Sequence, residues 1–297
     1  MSKRKGHSPQ AIIAELLRIY EATKNLTARE ILNSRSNHLK TFFYRLDELA
    51  ALEVDDQSVQ EEVVGKLGQL GQLGQLGQLG QLGEPAQNSV LAAVVRFRNL
   101  YSLRLEIAEA ERVLASREPW ELLKNFAYFP NYIQLARTEF QGAGLKPGDR
   151  VLFLGSGPLP LSLIVLCARY GLRGVGIERE RERAELSRRV LERLGLSGQV
   201  EILEGDHFSL PLKERSELVL VAAAAEPKRE IFDHLAVVLP AGTRVSYRVY
   251  EKGLRRLLET PSASGSALEL PDRFKEYFRV RPEPPVNNTV VFLTLSP

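Results

Sequence analysis

The stretch Leu152–Leu163, LFLGSGPLPLSL, joins an apolar run to a turn with two glycines. The apolar run predicts a buried strand. Gly155 and Gly157 predict a tight turn that approaches a ligand closely, because glycine has no Cβ atom. A strand, such a turn and a helix form the nucleotide-binding element of doubly wound α/β folds. Instead of the third glycine of a dinucleotide fingerprint, the glycine turn (residues 155–160) continues with Pro158, Leu159 and Pro160.

Strands and helices are predicted to alternate downstream of this turn and upstream as far as residue 149. The predicted strands are 150–154, 174–178, 200–203, 217–222 and 243–249, and the predicted helices between them are 159–170, 180–194 and 227–238. A closing pair of strands is predicted at Phe278–Arg281 and Thr289–Leu295. This alternation predicts an α/β fold with a parallel, Rossmann-like sheet.

The first half of the chain has apolar residues at helical spacing and predicts an all-α domain. Ser8 before Pro9 predicts a capped helix start, and Thr27 with Glu30 predicts a capping box. We therefore predict a helical domain at 1–145 and a Rossmann-like domain at 146–297. Within the first, LGQ triplets predict a flexible loop at 66–87, since each glycine disfavours a helix by about 1 kcal/mol.

The composition excludes several classes of protein. The chain has 297 residues, of which 44% are apolar and 26% charged, as in globular proteins. No apolar run reaches the roughly 18 residues of a membrane helix. The basic start MSKRKGHSPQ lacks the apolar segment of a secretory signal. With Cys167 as the single cysteine, we expect no disulfide, no membrane partner and a cytoplasmic location.

The charge pattern gives no indication of a nucleic-acid partner. The net charge of +3 is small and would need a clustered basic patch. The densest charged run, IERERERAELSRR at Ile177–Arg189, alternates in sign and predicts a solvated helix face with ion pairs. We therefore expect small-molecule substrates, and both a monomer and a homodimer are compatible with the sequence.

The two prolines of the glycine turn decide between cofactors. A pyrophosphate needs backbone N–H groups aimed at it from the start of a helix. Pro158 and Pro160 each remove one such donor. A dinucleotide is therefore disfavoured, and S-adenosylmethionine is favoured, because its methionine end would occupy the place of the phosphates.

Acidic residues at the ends of the next two strands support an adenosine ligand. Glu178 lies about 20 residues after Gly157, where an acid accepts the ribose hydroxyls. Asp206 ends the third strand and can accept the adenine amino group, with His207 beside it. The predicted cofactor contacts are Gly155, Ser156, Gly157, Pro158, Leu159, Pro160, Glu178, Asp206, His207, Ala222 and Ala223.

The turn after the fourth strand bears on the reaction. Many amine methyltransferases carry Asn/Asp-Pro-Pro-aromatic there, whereas this chain has VAAAAEPK at Val221–Lys228. The absence of this motif makes a methyltransferase less favoured, but a methyltransferase stays an alternative. A Rossmann-like binding protein without catalytic activity is a further alternative.

Six stretches carry a family resemblance. They are FLGSGPLPLSLIVL, AELSRRV, VAAAAEPKREIF and VNNTVVF in the α/β part, and REPWELLKNFAYFPNY and LTAREILNSRSNHLKTFFYRLDELA upstream. Together they resemble the nicotianamine synthases, most closely the archaeal form, from about residue 90 to the end and also over residues 26–50 of the helical domain. The resemblance implies a class I S-adenosylmethionine-dependent transferase domain preceded by the helical domain.

The resemblance implies transfer of the 3-amino-3-carboxypropyl group of S-adenosylmethionine to an amine, with release of 5′-methylthioadenosine. Nicotianamine synthases repeat this transfer and close an azetidine ring. The related staphylopine-type synthases make one transfer to histidine, which is the alternative for this chain. The products chelate transition metals, but we expect no metal in the enzyme, since its four histidines lack ligand spacing.

The resemblance also implies the site residues. The glutamate on the family's long helix falls on Glu106, and the tyrosine after its aromatic-proline joint falls on Tyr132. A partly buried carboxylate can accept the proton that an amine must lose before attack, and a phenol can orient that amine. Glu109 is the alternative if the register differs. The substrate is assigned to Tyr128, Glu226, Arg248 and Asn287.

Overall fold

The computed structural model describes residues 8–51, 62–63, 65–66, 90–251, 254 and 268–296. The predicted loop at 66–87 therefore lies almost entirely outside the described residues. The chain forms two compact units, Met1–Arg104 with Tyr250–Ser266, and Leu105–Val249 with Ala267–Pro297. Residues 105–145 thus group with the sheet rather than with the N-terminal helices.

The first unit is helical in its described part. Its helices are α1 (Pro9–Thr23), α2 (Ala28–Leu32), α3 (Asn37–Ala50) and the start of α4 (Val90–Ala115). The predicted caps are confirmed: Ser8 accepts the amide of Ala11, and Thr27 and Glu30 form a capping box. Apolar residues at helical spacing fill the interior, where Phe43 stacks on Tyr101 with ring centroids 4.8 Å apart. A packed helical core results.

The second unit is a seven-stranded sheet between layers of helices. Its strands are β1 (Arg150–Leu154), β2 (Arg173–Glu178), β3 (Val200–Glu204), β4 (Leu218–Val221), β5 (Arg244–Val249), β6 (Phe274–Val280) and β7 (Thr289–Leu295). After the end of α4, its helices are α5 (Pro119–Lys124), α6 (Phe129–Gly142), α7 (Leu161–Tyr170), α8 (Arg181–Arg193) and α9 (Lys228–Val238).

The strand order is β3-β2-β1-β4-β5-β7-β6, with β1 to β5 parallel and β7 antiparallel to both its neighbours. This is the doubly wound arrangement, so the predicted α/β fold is confirmed. From β1, the strands β2 and β3 extend the sheet in one direction, and β4 and β5 extend it in the other. The carboxyl end of β1 therefore lies at the point where the strand order reverses, which is where such folds bind ligands.

The two faces of the sheet carry separate apolar cores. Val151 and Phe153 of β1 point into a cluster with α4 to α8, whereas Leu152 and Leu154 point into a cluster with α9. Strand residues alternate between faces, so β1 is buried on both sides. The glycine turn thereby follows directly from a strand that is buried on both faces.

The predicted position of one closing strand was wrong. The structure has β6 at Phe274–Val280, earlier than the predicted Phe278–Arg281, and its ladder shifts register between Glu276 and Phe278. Because β6 is an edge strand, its residues are mostly exposed and lack the alternation that marks a strand in sequence.

Candidate active site

The glycine turn is anchored to the neighbouring strand β2. The amides of Gly155 and Ser156 both donate to the carbonyl of Ile177, at 3.0 and 3.1 Å. The Ser156 side chain is buried and faces Gly176, where a Cβ atom would meet its Oγ at 2.8 Å. Gly155 and Gly157 have φ angles of +78° and +74°, which only glycine adopts without strain.

The donors of this turn point into the protein. Ile177 accepts two of the amides of Gly155–Gly157, and Glu178 Oε2 accepts the third at 3.2 Å. Pro158 and Pro160 are buried and have no N–H group. The turn therefore offers a phosphate few donors, which agrees with the phosphate-free cofactor predicted from the prolines.

Glu178 is held at the end of β2 by contacts to both oxygens. Its Oε1 accepts the amide of Glu180 at 2.9 Å and lies 2.8 Å from Arg183 Nη2, while Oε2 accepts the Gly157 amide. The residue is 5% exposed. These contacts fix the carboxylate at the position where a ribose is bound in this fold.

Glu106 reaches the same turn from α4. A Cβ atom on Gly157 would lie 3.1 Å from Glu106 Oε2, so the absence of that atom makes room for the carboxyl group. Part of the residue surface is exposed, yet burial of the carboxyl raises its pKa from 4.5 to about 7, with Glu178 raising it further and Arg183 opposing. The carboxyl can therefore exchange a proton near neutral pH.

Gly157→Ala is expected to lower activity through Glu106. The new methyl group would displace the carboxyl, and the positive φ adds strain of about 1–2 kcal/mol. Gly195→Ala is the matched control, because Gly195 has φ +73° and nothing within 4 Å of its would-be Cβ. Both variants should lose similar stability in urea unfolding, but only Gly157→Ala should lose turnover. Equal turnover in both would contradict the role given to this contact.

The β4 loop (residues 222–227) packs on the glycine turn. A Cβ atom on Gly155 would lie 3.2 Å from the Cβ atoms of both Ala222 and Ala225. The predicted cofactor residues Ala222 and Ala223 are half-buried. The predicted substrate residue Glu226 is also half-buried, and its Oε2 accepts the amide of Lys228 at the start of α9. The loop thus lies beside the turn, and the contacts of Ala222 and Ala223 with the cofactor stay a prediction.

Asp206 and His207 follow β3. Asp206 Oδ1 accepts the amide of Phe208 at 2.9 Å, which shapes the loop. His207 is buried and packs against Phe208 with the two rings tilted, and its Nε2 lies 3.4 Å from Glu230 Oε1 on α9. His207 thus packs towards α9, and its assigned contact with adenine stays a prediction.

Tyr128 and Tyr132 lie at the start of α6. Tyr128 is its N-cap residue, and its carbonyl accepts the amide of Tyr132 at 3.3 Å. Both residues are half-buried, and Tyr132 packs against the apolar cluster that includes Leu159. The described contacts join Glu106 to the glycine turn; the pairing of Glu106 with Tyr132 stays a prediction.

Arg248 takes part in an ion pair within the second unit. Its Nε and Nη2 donate to the two carboxylate oxygens of Glu139 at 2.8 and 2.9 Å, and Nη2 also donates to Ser162 Oγ at 2.8 Å. Arg248 is 6% and Glu139 0% exposed. The assignment of Arg248 and half-buried Asn287 to a substrate carboxylate stays a prediction, and the partner Glu139 was not foreseen.

The structure thus brings Glu106, Gly157 and Glu178 together, and it adds Arg183. This arginine was not predicted, because the alternating charged run around it indicated a solvated helix face. A usable signal was its position on the first turn of the helix that follows Glu178, where an arginine can reach back to the strand end.

Among residues 8–51, 62–63, 65–66, 90–251, 254 and 268–296, no helix is both long and apolar enough to span a membrane. In the same residues, no group of three or more His, Cys, Asp or Glu side chains is arranged to hold a metal ion.

Comparisons with known proteins point to one family. The family described as "Nicotianamine synthase protein" matches residues 6–296. A crystal structure of a glutamate-to-glutamine mutant of MtNAS in complex with S-adenosylmethionine is 27% identical, with a TM-score of 0.75, and covers 96% of this chain and 98% of that chain. MtNAS in complex with MTA and tNA is 27% identical, with a TM-score of 0.74, and covers 97% of both chains.

Curated relatives match over shorter stretches. L-histidine 2-aminobutanoyltransferase from Yersinia pestis is 27% identical over 180 residues, which are 59% of this chain and 64% of that protein. Nicotianamine synthase 3 from Oryza sativa subsp. indica is 30% identical over 158 residues, 48% of this chain and 46% of that protein. The chain therefore spans less than two thirds of the length of these two relatives.

Proposed function

Since the chain belongs to the nicotianamine synthase family, we propose that it transfers 3-amino-3-carboxypropyl groups from S-adenosylmethionine to an amine or amino-acid acceptor. 5′-Methylthioadenosine is the by-product, and a nicotianamine-type metal chelator is the product. The observation that carries the proposal is the Glu106 carboxyl at Gly157, with a pKa raised to about 7. A base of this kind suits an amine nucleophile, which reaches the site as an ammonium ion.

The residues around the glycine turn fit S-adenosylmethionine. When bound, this co-substrate supplies a sulfonium with an electrophilic carbon on the aminocarboxypropyl chain. Glu178 and Glu106 place two carboxyl groups at the turn, which suits a cation and repels a pyrophosphate. Glu178 would accept the ribose hydroxyls, while the missing Cβ atom of Gly155 makes room for the β4 loop beside the turn.

The remaining roles concern the acceptor. Glu106 would hold the acceptor ammonium, take its proton and release a neutral amine. Tyr132 would orient that amine through its phenol, with Tyr128 as a wall that excludes water. Amino-acid substrates carry carboxylates, for which Arg248 and Asn287 remain the proposed contacts. Glu226 remains a proposed substrate contact, and its carboxylate suits the amino group of such a substrate.

The activity is expected to depend on pH through Glu106. Only the ionised carboxyl accepts a proton, so kcat/KM should rise with pH along a limb with an apparent pKa of about 7. Initial rates across the pH range measure this limb, and Glu106→Gln should remove it. A wild-type profile that stays flat from about pH 5.5 to 8 would contradict the assignment.

Folding stability offers an independent readout of the same group. Folding raises the pKa of Glu106 from 4.5 to about 7, so the folded state binds more protons than the unfolded state in this range. The contribution of Glu106 to stability is therefore fully present below pH 4.5 and is lost as the pH rises through about 7. Urea unfolding of wild type and Glu106→Gln across this range measures the difference.

A single transfer to histidine is the second candidate. The similarity to L-histidine 2-aminobutanoyltransferase from Yersinia pestis favours it. Both candidates use the same base and the same by-product, and they differ in the acceptor and in the number of transfers. We further propose a cytoplasmic monomer or homodimer that acts on small molecules, not on nucleic acid or membranes, which rests on the single cysteine and the small net charge.

Product analysis tests the proposal. The protein is incubated with S-adenosylmethionine alone, with glutamate and with histidine, and the products are separated and identified by mass spectrometry. 5′-Methylthioadenosine above a no-enzyme control, together with an aminocarboxypropylated amine, is the expected result, and the product mass counts the transfers. S-Adenosylhomocysteine would indicate a methyltransferase, and no product with any acceptor would favour a binding role; either result would overturn the proposal.

A further inference from the structure

Lys228 is the first residue of α9 and directly follows the β4 loop. Its ammonium donates to three backbone carbonyl oxygens of that loop, Ala222 at 2.9 Å, Ala223 at 2.7 Å and Ala225 at 2.7 Å. A lysine ammonium has three N–H donors, so each donor has one carbonyl partner. The side chain is 13% exposed, and water competes little for these bonds.

Two local effects disfavour a cation at this position. The start of a helix carries positive partial charge, and burial lowers the pKa of Lys228 to about 8, with Glu226 opposing this shift. Glu226 Oε1 lies 3.9 Å from the ammonium. A buried charge persists only when nearby groups compensate its lost hydration. The three carbonyl dipoles do so, and therefore the loop conformation and the buried ammonium depend on each other.

The β4 loop is in close contact with the glycine turn. The Cβ atoms of Ala222 and Ala225 both lie 3.2 Å from the position of a Cβ atom on Gly155. The amide of Ala222 also donates to the carbonyl of Leu154, the last residue of β1, at 3.0 Å. With so little space, a change in the loop would press its methyl groups against Gly155 or open a gap there.

We infer that Lys228 is a positioning residue: through three carbonyl contacts it fixes the β4 loop against the glycine turn and so shapes one wall of the cofactor site. The sequence shows this role only indirectly, as a lysine at a helix start where cations are disfavoured. The effect on the loop stands on these contacts, whereas the effect on S-adenosylmethionine binding rests on the proposed function.

Hydrogen exchange of the free protein tests the effect on the loop. Lys228→Met removes the three donors and keeps an unbranched side chain that is one heavy atom shorter. Amides in segments 222–227 and 155–160 are expected to exchange about tenfold faster or more than in wild type. Arg229→Met is the matched control, because Arg229 is the next residue on α9 and its side chain is 75% exposed; it should exchange as wild type does.

Lys228→Arg keeps the charge and several donors and should restore part of the protection. If Lys228→Met does not fold, as judged by the fluorescence of the single tryptophan, Trp120, Lys228→Gln takes its place, since it keeps an N–H donor. Wild-type exchange in both segments of a folded Lys228→Met or Lys228→Gln variant would overturn the inference.

Calorimetric titration with S-adenosylmethionine tests the effect on the site. The Kd is expected to rise about tenfold or more in Lys228→Met, to recover partly in Lys228→Arg and to stay unchanged in Arg229→Met. A folded Lys228→Met variant that binds like wild type would overturn the role in the site. If wild-type protein binds no S-adenosylmethionine, the proposed function fails, and the exchange experiment still decides whether Lys228 fixes the loop.

Discussion

Replacing Glu106 by glutamine is expected to lower kcat by about 100- to 10,000-fold, the range in which removal of a general base falls. The amide is similar in size and fills the same space beside Gly157, but it cannot accept a proton from an ammonium ion. The Kd for S-adenosylmethionine should change much less than kcat, because Glu178 and the glycine turn are intact. Single-turnover kinetics and calorimetry measure the two quantities separately.

Glu109→Gln is the matched control for this variant. Glu109 lies on the same helix and is 3% exposed, but its Oε2 is bound by Arg112 Nη1 at 2.6 Å. It is also the alternative base if the register with the family differs. Full turnover in Glu106→Gln, or a greater loss in Glu109→Gln than in Glu106→Gln, would contradict the assignment of Glu106.

Glu139→Ala is expected to destabilise the second unit by about 3–5 kcal/mol, because it leaves the buried guanidinium of Arg248 without its counter-charge. Glu139 is 0% exposed and makes two of the three hydrogen bonds described for Arg248. The pair joins α6 to β5. Urea unfolding measures the loss through the fluorescence of Trp120, the single tryptophan, which packs against a core cluster of this unit.

Two further variants serve as controls for Glu139→Ala. Glu276→Ala removes the partner of Arg279 in a pair whose side chains are 38% and 35% exposed, and it should cost about 0–1 kcal/mol. The double variant Glu139→Met with Arg248→Met removes both buried charges and should be more stable than Glu139→Ala. A loss below about 1 kcal/mol in Glu139→Ala would contradict the account of this pair.

The second unit was largely predictable because its signals are local. Buried parallel strands give continuous apolar runs, as in β1, and the glycine turn follows directly. The effect of Pro158 and Pro160 was predictable as well, because the residue type alone shows that the backbone N–H donor is missing. The edge strand β6 was misplaced because exposed strands show no alternation.

In the candidate site, a residue was predictable only where its position within one helix or strand, or a family motif, indicated its role. Glu178 follows from its place at the end of β2, and Glu106 followed from the family resemblance. The partners of these residues come from other elements: Arg183 lies on α8, and Lys228 acts on carbonyls that have no side-chain signature. The ion pair of Glu139 with Arg248 joins residues 109 positions apart. Composition and spacing do not specify such pairings, because they arise from tertiary packing.

The origin of the transferred carbon tests the central claim most directly. S-Adenosylmethionine is prepared with one isotope in the methyl group and another in the aminocarboxypropyl chain, and the amine product is isolated after incubation with the protein. The chain label is predicted in the amine product, and the methyl label in the adenosine-containing by-product. A methyl label in the amine product, or neither label there with every acceptor, would contradict the assignment of this protein as an aminocarboxypropyl transferase.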